Sequence, residues 1–175
     1  MTDWQTDKAA SDRLLPEIKA ILGVHLIGAA PVEEDQQRNT DLIVLRMEPV
    51  RIACRVRRFE YMSQYRDEFT IRSDRPSGAK TELAKVVEGW GNYLFYGFAS
   101  ADGQSVAAWL LGDLTVFRRW YSDRLAALPA GTLPGALHHN RDGSSAFRVF
   151  CVTDVPDEFI VAWGPAATST GCKSE

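Results

Sequence analysis

Three short runs with strand character crowd into residues 41–73, and a segment of helical spacing lies on either side of them. The runs are 41–47 (DLIVLRM), 52–58 (IACRVRR) and 68–73 (EFTIRS), each rich in β-branched residues. Glu48-Pro49 joins the first two, and so short a gap makes an antiparallel hairpin the economical pairing. Upstream, Ser11 or Asp12 can cap a helix whose apolar positions are Leu14, Leu15, Ile18, Ile21 and Leu22. Gly23 is its expected stop, and Pro16 fits in its first turn. Downstream, Pro76-Ser77-Gly78 breaks the chain before a helix at 81–88 (TELAKVVE), which Gly89 ends. An aromatic strand at 92–99 follows. The order is helix, strand, strand, strand, helix, strand, and it predicts an α/β (α+β) fold with a mixed central sheet flanked by helices.

The rest of the chain extends that core. Residues 28–40 are polar and acidic and read as a loop or short helix. Residues 105–111 form a further strand after the Asp102-Gly103 turn, and Asp113 caps a third helix built on Leu114, Phe117, Tyr121, Leu125 and Leu128, with Pro129 just beyond. Residues 129–145, rich in Gly, Pro and small polar residues, read as a long surface loop. Strands at 147–152 and 158–163 complete a single domain over 1–163, and 164–175 is expected to be a disordered tail.

With 45% hydrophobic residues, eight Phe and five Trp, the chain can build a core without metal or disulfide support. Cys54, Cys151 and Cys172 lack CxxC spacing and are odd in number, which argues against zinc and against a disulfide framework. Cys54 and Cys151 sit in apolar runs, where a thiol packs as a small hydrophobe. Residues 1–10 are polar, and no apolar run approaches the roughly 18 residues of a membrane span, so the cytoplasm is the expected compartment.

Charge narrows the partners. A net charge of −3 gives no whole-molecule attraction for a polyanion, so a nucleic-acid surface has to be local. Residues 51–75 supply one: seven Arg against Glu60, Asp67, Glu68 and Asp74 leave +3. Basic residues across the chain are 15 Arg and 5 Lys. Arg suits bidentate phosphate contacts, and a GC-rich genome produces the same bias.

Thr40-Asp41-Leu42-Ile43-Val44-Leu45, set in this element order, resembles the core of the PD-(D/E)XK nuclease superfamily, including Holliday-junction resolvases; the likeness covers roughly residues 11–99. The resemblance implies DNA or RNA as partner and Mg²⁺ as cofactor, held by Asp41 and by an upstream acid, Glu34 or its neighbour Glu33. In such a site carboxylates bind the hard cation, and a Lys orients the attacking water. Where the superfamily places Glu-x-Lys on the next strand, this chain reads Arg55-Val56-Arg57. Arg neither ligates Mg²⁺ nor gives up a proton. Some members carry a catalytic residue on the following helix, and Glu82 and Lys85, three apart, resemble that arrangement. The implied catalytic set is therefore Asp41, Glu82 and Lys85, and the implied phosphate contacts are Arg55, Arg57, Arg72 and Arg75.

These assignments carry two readings of function. One is a nucleic-acid-acting protein that cleaves phosphodiesters with Mg²⁺. The other is a catalytically silent relative, such as a phage or mobile-element accessory or anti-defence protein, working through nucleic-acid or protein contacts. A small-molecule enzyme on an unrelated fold would instead show a deep apolar pocket.

Each residue also has a plainer reading. Arg55 and Arg57 share one face of their strand, opposite Ile52 and Val56, and Glu68, Thr70 and Arg72 share a face of the next; such ladders occur on solvated sheets. Asp41 can be a turn residue, and Glu82 and Lys85 a solvated helix face. His138 and His139 lack a third ligand, and His25 lies between apolar neighbours. The aromatics of 88–98 can stack on bases but more commonly form core.

Overall fold

The computed structural model describes residues 3–29, 42–44, 50–140 and 143–164. Helix α1 (Asp3–Leu26) leads into strands β1 (Ile27–Ala29) and β2 (Leu42–Val44), then β3 (Ile52–Arg57). A 3-10 turn (Phe59–Tyr61) and the short α2 (Met62–Tyr65) precede β4 (Glu68–Asp74), α3 (Glu82–Val87), β5 (Tyr93–Ala99), β6 (Val106–Asp113) and α4 (Leu114–Ala127). Strands β7 (Ala136–His139), β8 (Ala146–Cys151) and β9 (Ile160–Gly164) follow, with a 3-10 turn at Asp157–Phe159. The fold is α+β, with a mixed four-stranded sheet ordered β3-β5-β6-β9 and flanked by helices.

In that sheet β3 runs parallel to β5, and the β5-β6 and β6-β9 pairs are antiparallel. Alternation along β5 and β6 feeds two cores, since successive strand residues point to opposite faces. On one face Phe95, Val106 and Leu111 meet Leu14, Ile18 and Leu22 of α1. Those three helix positions are spaced i, i+4, i+8, which lines them along one side of the helix. Glu17 Oε2 accepts from the Val106 N–H at 2.9 Å and ties α1 to the start of β6. On the other face Leu94, Tyr96, Phe98 and Leu110 meet α3, α4 and the second sheet, β4-β8-β7. Phe69 stacks there on Phe150 and Phe159 with centroids 5.4 and 5.0 Å away, and Phe117 meets Phe150 edge-on at 5.1 Å.

Two helix starts carry side-chain caps, of which the one at Asp113 is predicted by the sequence. Thr81 Oγ1 accepts from the Ala84 N–H at 3.2 Å, and Asp113 Oδ1 accepts from the Thr115 N–H at 2.6 Å. Both satisfy N–H groups that a helix start leaves without partners. Gly89 ends α3 with φ +99°. The Asp102-Gly103 turn joins β5 to β6, with Asp102 Oδ1 accepting from Ser100 Oγ and the Gln104 N–H. Those two hydrogen bonds, Ser100 first, hold the Asp102 carboxyl below its ordinary range.

Several sequence expectations are corrected. Gly23 does not stop α1, which runs on to Leu26 and begins at Asp3 rather than at Ser11 or Asp12, so Pro16 lies mid-helix. Lys8, Ala9 and Ala10, good helix formers, extend the helix upstream. Among the described residues the expected hairpin between the first two strand runs does not form. β2 pairs antiparallel with β1, as in Ile27 with Val44, whereas β3 finds a parallel partner in β5. A stretch read as surface loop contains β7, which pairs with β8. Cys54 is exposed rather than packed, and Cys151 is buried and disulfide-bonded. The expected tail, from residue 165 on, lies outside the described residues. No helix among the described residues is long and apolar enough to cross a membrane.

Candidate nucleic-acid interface

Strand β3 is an edge strand of the four-stranded sheet, and β4 is an edge strand of the three-stranded one. The register pairs Arg55 with Tyr96 and Arg57 with Phe98, so both arginines stand on the face that carries the larger core. Ile52 and Val56, on the opposite face, pack against the α1 core, as the sequence predicts. The arginines are therefore anchored at the rim of a packed sheet rather than on an open one.

Glu82, in the first turn of α3, reaches this rim. Its Oε2 lies 3.5 Å from Arg55 Nη1 and 3.4 Å from the Arg72 backbone N–H, which donates to it. Arg55 Nη1 is shielded from solvent and meets the carboxylate without hydrogen-bond alignment, as a charge pair. The side chains remain 31% and 48% exposed, so the pair contributes at most about 1 kcal/mol. Its effect is positional: one carboxylate joins β3, β4 and α3. Leu83 and Val86 are buried beneath it, and Lys85 is exposed one turn on.

Arg57 makes a different set of contacts. Its guanidinium carbon lies 4.3 Å from the Tyr61 ring centroid and 5.2 Å from that of Tyr65. The two tyrosine rings are 6.2 Å apart and tilted by 44°. Close by electrostatically is Glu68, at the head of β4. Partial burial pushes its carboxyl up, and the charges of His138 and Arg57 pull it down by less.

Among the expected site residues, Arg55 and Glu82 come together, with the Arg72 backbone as a third member. Arg57 shares the face of Arg55, and Arg75 is half-buried just past β4, its carbonyl accepting from the Gly78 N–H at 3.0 Å. Asp41, Glu33 and Glu34 lie outside the described residues. The ladder of charges between β3 and β4 is corrected: the strands belong to different sheets, and Thr70 is buried with its Oγ1 3.2 Å from the Tyr96 hydroxyl. His138 stacks on Phe147 at 5.9 Å on the exposed β7. The aromatics of β5 are core, with Phe95, Tyr96 and Phe98 buried, while Trp90 is exposed.

Sequence reasoning missed Tyr61 and Tyr65. The available signal was the repeat of four in Arg57, Tyr61 and Tyr65, which brings such side chains together once the intervening residues coil.

Magnesium needs several oxygen donors. Among the described residues no three His, Cys, Asp or Glu side chains group where an ion could be held. Glu82 supplies one carboxylate there, already matched to a guanidinium. As described, this rim suits an anion better than a cation. A cleft lined by Arg66, Tyr96, Phe98, Trp109 and Trp163 encloses about 40 Å³. That is room for a few waters, far below the ~300–1,000 Å³ of ordinary ligand pockets. No known protein family, no curated protein and no solved structure matches the chain.

Proposed function

We propose that this protein acts on nucleic acid through the rim where Glu82 links β3 to β4, with Arg55, Arg57, Arg72 and Arg75 facing phosphate on a core like that of the PD-(D/E)XK nucleases. The observation that carries the reading is the charge of one segment and the facing of two of its arginines. Residues 51–75 hold +3 within a chain of net −3, and Arg55 and Arg57 stand side by side on one strand face there. Such a patch attracts a polyanion locally by releasing its condensed counterions.

A second reading, Mg²⁺-dependent cleavage, rests on the place of Glu82, whose carboxylate would have to exchange Arg55 for the metal. Arg55 occupies the strand position where the superfamily carries its carboxylate, and Glu82 on the next helix brings a carboxylate to the same spot, 3.5 Å away. With Asp41, Glu34 and Lys85 it would make up the implied site. Binding without cleavage would mark a catalytically silent relative acting as an accessory protein.

The test is binding to labelled DNA and RNA at several salt concentrations, with and without Mg²⁺. Log affinity is expected to fall linearly with log salt, by about 0.9 per phosphate neutralised on duplex DNA. The Arg55→Gln, Arg57→Gln double variant is expected to flatten that slope by about two contacts. Absence of salt-sensitive binding to any form at low ionic strength would sink both readings. Mg²⁺-dependent cleavage abolished by Asp41→Asn and Glu82→Gln would establish the nuclease, and binding alone the silent form.

A further inference from the structure

We propose that Tyr61 is a base-stacking residue, so that the ligand of the arginine rim is single-stranded nucleic acid or an unpaired segment. This rests on the nucleic-acid reading and goes beyond it by naming the form of the ligand.

The 3-10 turn after β3 projects two large rings outward: Phe59 is 42% and Tyr61 44% exposed, and no residue of the turn is buried. Scattered exposed apolar side chains are ordinary on protein surfaces. What sets Tyr61 apart is that its ring is held. Arg57 lies over it at 4.3 Å, and Tyr65, which packs against the larger core, backs the same guanidinium at 5.2 Å. Arg57 lies over one face of the ring, yet Tyr61 remains 44% exposed, which leaves ring surface for a planar partner. The cation also draws π density, which favours an electron-rich base on the free face.

The partner is set by what surrounds the rings. Arg57 belongs to the +3 segment, so a chain of phosphates is drawn to the same edge. Glu60 is exposed between Phe59 and Tyr61 and repels phosphate there. The polyanion's backbone is therefore directed along the arginines and its bases toward Tyr61. A duplex keeps its bases stacked on one another and can use only the arginines. A single strand uses both, because every base has a π face, whatever its sequence.

The experiment measures fluorescence anisotropy of a labelled oligothymidylate of about 15 nucleotides, close to the upper site size of known single-strand binders, and of a duplex of equal length. The wild type is expected to bind the single strand more tightly. Tyr61→Ala should weaken single-strand binding by roughly five- to a hundredfold, the range for one lost stacked base, and leave duplex binding within about twofold. The salt slope should not change, since the ring neutralises no phosphate. Tyr61→Phe, which keeps the ring, should bind like the wild type, and the duplex binding kept by the alanine variant shows that its loss on the single strand is not misfolding. Equal wild-type affinity for both probes, or Tyr61→Ala weakening both alike, would overturn the stacking role and leave the arginine reading standing. Failure of the wild type to bind either probe would overturn the arginine reading, and the stacking role with it.

Discussion

Gly112 shows how a single position is fixed by what lies opposite it. A Cβ built there would stand 2.3 Å from Phe159 Cζ and 2.4 Å from its Cε2, and Phe159 is fully buried. Gly112→Ala is thus expected to cost about 1–3 kcal/mol through overpacking, read as a lowered denaturation midpoint. An unchanged midpoint would mean that the Phe159 ring has somewhere else to go. The rim residues were partly legible in the same way. The facing of Ile52 and Val56 against Arg55 and Arg57 follows from strand alternation alone, and it holds. The meeting of Glu82 with Arg55 spans 27 residues of sequence and depends on α3 packing beside β4, which no local spacing encodes.

At the scale of elements, the Asp113 cap was readable because a cap is a contact between residues two or three apart, whereas Ser11 and Asp12, also expected to cap, lie inside α1. Asp113 accepts from the Thr115 and Val116 N–H groups, and α4 begins where the sequence says it should. Asp113→Ala is expected to lose about 1 kcal/mol, measured by chemical denaturation. A loss near zero would mean that packing of Leu114, Phe117 and Tyr121 holds α4 without its cap. Pairing was less readable. The short 48–49 gap suggested a hairpin, yet β3 pairs with β5 across 41 residues, Ile52 beside Tyr93. Backbone N–H and C=O groups demand a partner without naming one, and the better apolar face decides.

At the scale of the molecule, α1 covers one face of the four-stranded sheet among the described residues. Leu14, Ile18 and Leu22 cover Phe95 and Leu111, and Ile18 is 2% exposed at the middle of the stripe. Ile18→Ala is expected to cost about 2–5 kcal/mol, lowering the thermal midpoint by several degrees. A cost below about 1 kcal/mol would show that the α1 face collapses around the lost methyls. On the other side the second sheet and two helices share one aromatic cluster, so damage to Phe69 or Phe117 reaches every layer there.

The sequence by itself determined the α+β class, the order of the main elements, the Asp113 cap of α4 and the faces of β3. Each rests on neighbours within a few residues, where propensity, capping and alternation act directly. Tertiary structure alone decided which strands pair, that β3 and β4 lie in different sheets, and that Glu82 and Tyr61 come to the arginine rim. Those outcomes depend on contacts distant in sequence, chosen by how the apolar faces of α1, the two sheets and the helices α3 and α4 close over one another.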